Sequence, residues 1–161
     1  MELLLVRHGK AEDHGHPGGD GARALTEKGW SQARRVGAFL KVQDWLPDLV
    51  LSSPLVRARE TAEGLCAAAG IDGPVIESWL ACGMRAEEAL AELAAYRETC
   101  ARVCLVGHEP DFSALASAIL QAPWGAIEVK KASVLRFQMN PPRAGGILLA
   151  ALPVKCLLDL A

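Results

Sequence analysis

The chain has no apolar run approaching the roughly 18 residues that a bilayer-spanning helix needs. No basic stretch precedes its short opening apolar run, Met1-Glu2-Leu3-Leu4-Leu5-Val6-Arg7, as a secretory leader would require. A cytoplasmic protein with no membrane partner is the expectation. A dense Lys/Arg cluster is missing too: 17 Lys and Arg stand against 19 Asp and Glu, a formal net charge of −2. That argues against a nucleic-acid or anionic-membrane surface and confines positive charge to local work. Cysteine is sparse, and Cys66, Cys82, Cys100, Cys104 and Cys156 form an odd set with no CxxC pair. Such a set fits reduced, mostly buried thiols rather than a disulfide framework. Repeats, low-complexity tracts and linkers are absent as well, so residues 1–161 read as one domain.

What is present suffices for a packed core, with 51% apolar and 22% charged residues. Leu3-Leu4-Leu5-Val6 is a short continuous apolar run, as expected of a strand buried on both faces, and it stops abruptly at Arg7-His8-Gly9. Residues 10–23, rich in Gly, His and Asp, read as a long surface loop. Thr26 then caps a helix carrying Ala33, Val36, Gly37 and Leu40 at helical spacing. The same strand-then-helix pattern recurs with Leu49-Val50-Leu51 before a helix over 55–69, closed by Gly70. A brief strand over 74–76 precedes an irregular stretch and a helix over 85–98. Val103-Cys104-Leu105-Val106 is a fourth strand, ending at Gly107-His108, and Phe112, Leu115, Ala116 and Ile119 mark a helix over 110–121. Residues 133–139 and 146–154 read as paired strands around a Pro/Gly turn. Alternating strands and helices predict an α/β three-layer sandwich, with a mainly parallel central sheet flanked by helices and extra antiparallel strands from the C-terminal tail.

In such a sheet, ligands bind beyond the carboxyl ends of the strands. Arg7-His8 ends the first strand, Ser52-Ser53-Pro54-Leu55-Val56-Arg57 follows the second, and Gly107-His108 ends the fourth. Two arginines and two histidines from distant segments would thus share one sheet edge. The matching ligand is a phosphoryl group, because guanidinium forks fit its oxygens and helix N-termini add N–H donors. A metal site is a weaker reading. Cys100, Cys104 and His108 recur every four residues, which on a helix would make one face. Residues 101–106 read as a strand, however, where four residues span about 13 Å.

The Arg7-His8-Gly9 triplet, the segment Ser52-Ser53-Pro54-Leu55-Val56-Arg57-Ala58-Arg59-Glu60-Thr61-Ala62 and the late Gly107-His108 resemble the histidine phosphatase superfamily. Lys10-Ala11-Glu12, Leu25-Thr26-Glu27-Lys28-Gly29 and Ala81-Cys82-Gly83 look more narrowly like SixA-type phosphohistidine phosphatases. The match runs in order from about residue 3 to about residue 120.

The resemblance implies a phosphoglycerate mutase-like fold. It also implies a metal-independent, cofactor-free phosphatase in which His8 attacks phosphorus to form a phosphohistidine intermediate. For that His8 must be neutral, its other ring nitrogen donating to a fixed acceptor such as a backbone carbonyl. Arg7, Arg57 and His108, with Gly9, would hold the phosphoryl oxygens. Larger family members usually carry a carboxylate after the third strand as proton donor. Here Ala81 falls in that region, leaving Glu77 and Glu109 as candidates. A phosphohistidine substrate relaxes the need for an acid, since protonated imidazole leaves more readily than an alkoxide.

The expected partner is therefore a phosphorylated protein, such as a histidine phosphotransfer domain, or else a small phosphorylated substrate. Two rivals stand beside the phosphohistidine reading: a phosphatase or mutase acting on a small phosphate monoester, and a phosphate-binding module without turnover. Blander roles are expected elsewhere. His14 and His16 read as solvated loop residues, Lys130-Lys131 as a solvated turn, and Ser53, with no GxSxG around it, as a helix N-cap. Trp79 and Trp124 fit either the core or a substrate rim.

Overall fold

A computed structural model describes residues 1–157 of the chain. Its elements run β1 (Glu2–Arg7), α1 (Glu27–Val42), β2 (Leu49–Ser52), α2 (Val56–Ala69), β3 (Val75–Ile76), α3 (Ala86–Ala94), β4 (Arg102–Gly107), α4 (Asp111–Leu120), β5 (Val134–Gln138) and β6 (Ile147–Leu152). The strands form one sheet in the order β3-β2-β4-β1-β5-β6. The first four are mutually parallel, while β5 runs antiparallel to β1 and β6 antiparallel to β5. This is the expected α/β sandwich.

The apolar runs explain the layers. Side chains alternate across a strand, so Leu3, Leu5, Val103 and Leu105 face one side, where they meet Leu90 and Leu93 of α3 and Phe112, Leu115 and Ile119 of α4. Leu4, Val6, Cys104 and Val106 face the other, against Val36 and Leu40 of α1 and Ala58, Ala62 and Leu65 of α2. A run of four apolar residues is what a strand covered on both faces demands.

Local signals set the helix ends. Thr26 Oγ1 accepts the Gly29 N–H at 3.2 Å at the start of α1, and Gly70 closes α2 in the left-handed conformation (φ 74°). The helix expected over 85–98 stops at Ala94, because residues 95–100 fold into successive short turns, with Tyr96 N–H on Leu93 and Cys100 N–H on Tyr96. Among the cysteines only Cys66 and Cys104 are buried, whereas Cys82 and Cys156 are exposed, so the expectation of mostly buried thiols fails. Trp79 packs against the core beneath α3 and α4, and Trp124 stands 82% exposed on the loop after α4.

α1 and α2 pack closely enough that a Cβ on Gly37 would lie 2.1 Å from the Leu65 carbonyl oxygen. Gly37→Ala should therefore destabilise the fold by about 2 kcal/mol net: helix propensity gains about 1 kcal/mol, but forcing the helices apart costs about 3 kcal/mol. A urea midpoint that rises instead would contradict this packing.

Candidate active site

Three strand ends deliver the site residues. Parallel pairing sets Arg7 beside Gly107, and the His8 N–H continues the ladder onto the Gly107 carbonyl at 3.0 Å. His8 and His108 are thereby neighbours, with ring centroids 5.3 Å apart. Ser53 N–H bonds the Val106 carbonyl at 3.0 Å, which brings the first turn of α2, and Arg57 with it, to the same edge. Arg7, His8, Arg57 and His108 all line one cavity of about 300 Å³. Residues 10–23 supply His14, Asp20 and Arg23 to its wall, and Cys82, Glu109 and Lys131 complete it.

Hydrogen bonds fix both imidazoles. His8 Nδ1 lies 2.8 Å from the Gly9 carbonyl; a carbonyl only accepts, so Nδ1 carries the proton and Nε2 keeps its lone pair. Burial, with lesser contributions from His108, Arg57 and Arg7, pushes the His8 pKa down to about 3 despite the opposing Gly9 bond. His8 is a neutral imidazole at ordinary pH. Gly9 itself has its N–H on Thr61 Oγ1 at 3.0 Å, so it holds His8 through its carbonyl and its N–H is already committed. His108 Nε2 is 2.7 Å from Ser53 Oγ. That oxygen also accepts the Leu55 N–H at 3.3 Å. Burial, reinforced by Arg57, lowers the His108 pKa to about 4. Ser53, expected as a plain N-cap, thus orients a pocket histidine, and Leu55 occupies the N-cap position.

Both arginines are anchored by the protein. Arg7 Nη1 donates to the Val129 carbonyl at 2.8 Å. Arg57, 3% exposed, donates from Nη1 to the Asp20 carbonyl at 2.7 Å and from Nη2 to Asp20 Oδ2 at 3.0 Å. Yet Arg7 Nε, Arg57 Nε and His108 Nδ1 are buried with no partner in the protein. Buried polar atoms without partners are costly, about 1–3 kcal/mol each, and all three belong to residues that line the cavity. Arg7, Arg23, Arg57 and Lys131 against Asp20 and Glu109 leave that cavity with a surplus of two positive charges. A tetrahedral dianion matches both the donors and the charge.

The two carboxylates expected as proton donors are placed differently. Glu77 lies outside the cavity lining and accepts from the Tyr96 hydroxyl at 3.3 Å. Glu109 is at the cavity but is held by the Ser113 hydroxyl and by the Ser113 and Val129 N–H groups, each of these N–H bonds 3.2 Å long. Asp20 and Arg23 are members that the sequence reading missed. Arg23 is 8% exposed, its Nε on Asp20 Oδ1 at 2.8 Å and its Nη1 on the Glu12 carbonyl at 2.7 Å. Lys131, read as part of a solvated turn, sits on the wall, whereas Lys130 pairs with Glu128. Among the described residues, no group of three or more His, Cys, Asp or Glu is arranged to hold a metal ion, Cys100-Cys104-His108 included.

Residues 3–76 match the family model for the histidine phosphatase superfamily, branch 1. The chain belongs to that superfamily. An uncharacterised protein of Picosynechococcus sp. is 35% identical over 89% of this chain and 88% of its own. In fold, the superfamily member described here is similar to the protein histidine phosphatase SixA solved with tungstate (TM-score 0.86, 21% identity, 96% and 98% of the two chains). It is also similar to the α-ribazole phosphatase of Shigella flexneri (TM-score 0.75, 19% identity, 96% and 97%).

The depressed histidine pKa values have a consequence for stability. A folded-state pKa below the free value of 6.5 means that the unfolded chain takes up the proton first. The histidine contribution is thus complete above pH 6.5 and is lost as pH falls from there toward 4. In urea titrations of the phosphate-free protein, stability should fall over that window by up to about 1.4 kcal/mol per pH unit per histidine. His108→Asn should make the fall shallower; an unchanged slope would contradict the burial of a neutral ring.

Proposed function

We propose that this protein is a phosphatase that removes the phosphoryl group from a phosphorylated histidine of a protein, with His8 as nucleophile. The observation that carries the reading is the gathering of three donor side chains, Arg7, Arg57 and His108, on one cavity with the neutral imidazole of His8. Those donors suit the three non-bridging oxygens of a phosphoryl group, and they act most strongly where water is excluded. The cationic surplus takes the part that a metal ion plays in other phosphoryl transfers, so no metal is required.

The chemistry runs in two displacements. His8 Nε2 attacks phosphorus while the donors stabilise the charge spreading over the equatorial oxygens, and the leaving group departs from the opposite side. Water then attacks the phosphorylated imidazole and releases inorganic phosphate. The Gly9 carbonyl serves both steps: it fixes the ring and accepts from Nδ1–H as positive charge develops on the imidazole.

Phosphohistidine is favoured over an ester by the state of the carboxylates. Glu109 is locked in place and Glu77 is outside the cavity lining, so no carboxylic acid stands ready to protonate an alkoxide, whereas an imidazole leaving group is the less demanding one. The tungstate held by the SixA structure is itself a tetrahedral oxyanion, in keeping with the ligand drawn by these donors.

The test is phosphate release from a phosphorylated histidine phosphotransfer domain, phosphoramidate, and a panel of sugar and nucleotide phosphates. Phosphohistidine should be turned over fastest, and His8→Ala should abolish turnover. Full activity of His8→Ala, or preference for a sugar phosphate, would contradict the respective part of the reading. Arg57→Ala should lower turnover by about 10³-fold, in line with single arginines in other phosphoryl transfers; a loss below about tenfold would remove Arg57 from the phosphoryl site.

A further inference from the structure

The phosphatase reading leaves one proton without a source, the one that the leaving atom must acquire. The cavity wall offers few groups able to supply it. Glu109 is saturated by hydrogen bonds from Ser113 and Val129. Although partial burial alone would raise the Asp20 carboxyl, Arg57 and Arg23 outweigh it and hold the group below the usual carboxylate range, so it stays ionised. Burial raises the Cys82 thiol, which makes it a poor donor near neutrality. Lys131 is an ammonium, a class that releases protons reluctantly at neutral pH.

His14 remains. It lies on the glycine-rich loop over 10–23, lines the same cavity as His8, and places Nδ1 3.4 Å from Asp20 Oδ1. Asp20 is in turn fixed by Arg57 and Arg23. A carboxylate beside one imidazole nitrogen orients the ring and leaves the other nitrogen to exchange a proton. The side chain is 87% exposed, and the loop is anchored near its two ends by the Ala11–Leu25 bridge and the Thr26 N–H bond to the Lys10 carbonyl. An exposed ring on the cavity wall is open to the leaving group of a substrate held against His8.

The geometry points to His14 as the general acid, with Asp20 as its positioning residue. As the bond from His8 Nε2 to phosphorus forms and the bond from phosphorus to the leaving atom breaks, that bond's electron pair remains on the leaving atom, which takes the proton from His14 Nε2. The neutral His14 then accepts a proton from the water whose oxygen attacks the phosphorylated His8. Phosphate is released, the His8 lone pair is restored and His14 is again protonated, so the cycle closes without any further reactant.

This inference rests on the phosphatase reading, and leaving-group dependence separates the two. p-Nitrophenyl phosphate expels a stabilised phenolate that needs no proton, whereas phenyl phosphate gains much from an acid. His14→Ala should lose about 10²-fold on phenyl phosphate and less than about threefold on p-nitrophenyl phosphate, with added imidazole restoring part of the loss. His16→Ala, whose ring pairs with Glu12 on the same loop, should leave both rates unchanged. Equal losses on both substrates, or no loss on either, would overturn the role of His14 while leaving His8 untouched. A leaving-group-selective loss in Asp20→Asn but not in His14→Ala would likewise overturn it, by giving the proton to Asp20. No turnover of either ester would overturn this inference alone if the phosphorylated histidine phosphotransfer domain is still dephosphorylated, and the phosphatase reading with it if that domain is not.

Discussion

The alignment of β1 with β4 governs everything at the upper edge of the sheet. Because the two strands run parallel with Arg7 opposite Gly107, each chain segment passes the edge at the same height and releases a histidine there. One backbone bond, from His8 N–H to the Gly107 carbonyl, holds the two rings at their 5.3 Å separation. A shift of one residue in β1 would carry a polar end residue, Glu2 or Arg7, into a position now held by a fully buried apolar side chain. The hydrophobic core therefore enforces the spacing on which any phosphoryl chemistry depends.

Around that pair the protein keeps water and protons out. Burial disfavours the charged form of both imidazoles and at the same time leaves three side-chain nitrogens without partners. Both features cost folding free energy. Strain of this kind is commonly concentrated where ligands bind.

Much of the arrangement was legible in the sequence, for identifiable reasons. Four-residue apolar runs that end abruptly in Arg-His or Gly-His announced strands covered on both faces with reactive ends, and Thr26, Gly70 and the Phe112-Leu115-Ala116-Ile119 stripe fixed three helix boundaries or faces. The loop over 10–23 was not legible. Its glycines and polar residues gave no periodicity, so nothing indicated that Arg23 would be buried or that Asp20 would reach Arg57 across 37 positions. Ser53 was read as a cap because its nearest sequence partner is a helix start; the His108 contact spans 55 residues and leaves no local trace. The end of α3 was overextended because an Ala/Glu-rich stretch keeps helical propensity past Ala94, where the successive turns over 95–100 override it.

The central claim is that one anion fills the space between Arg7, His8, Arg57 and His108. The most direct measurement is a crystal structure of the protein soaked with tungstate or vanadate. The account predicts oxygens within about 3 Å of side-chain nitrogens of Arg7, Arg57 and His108, with the central atom facing His8 Nε2. An anion bound elsewhere on the surface, touching none of these side chains, would contradict it.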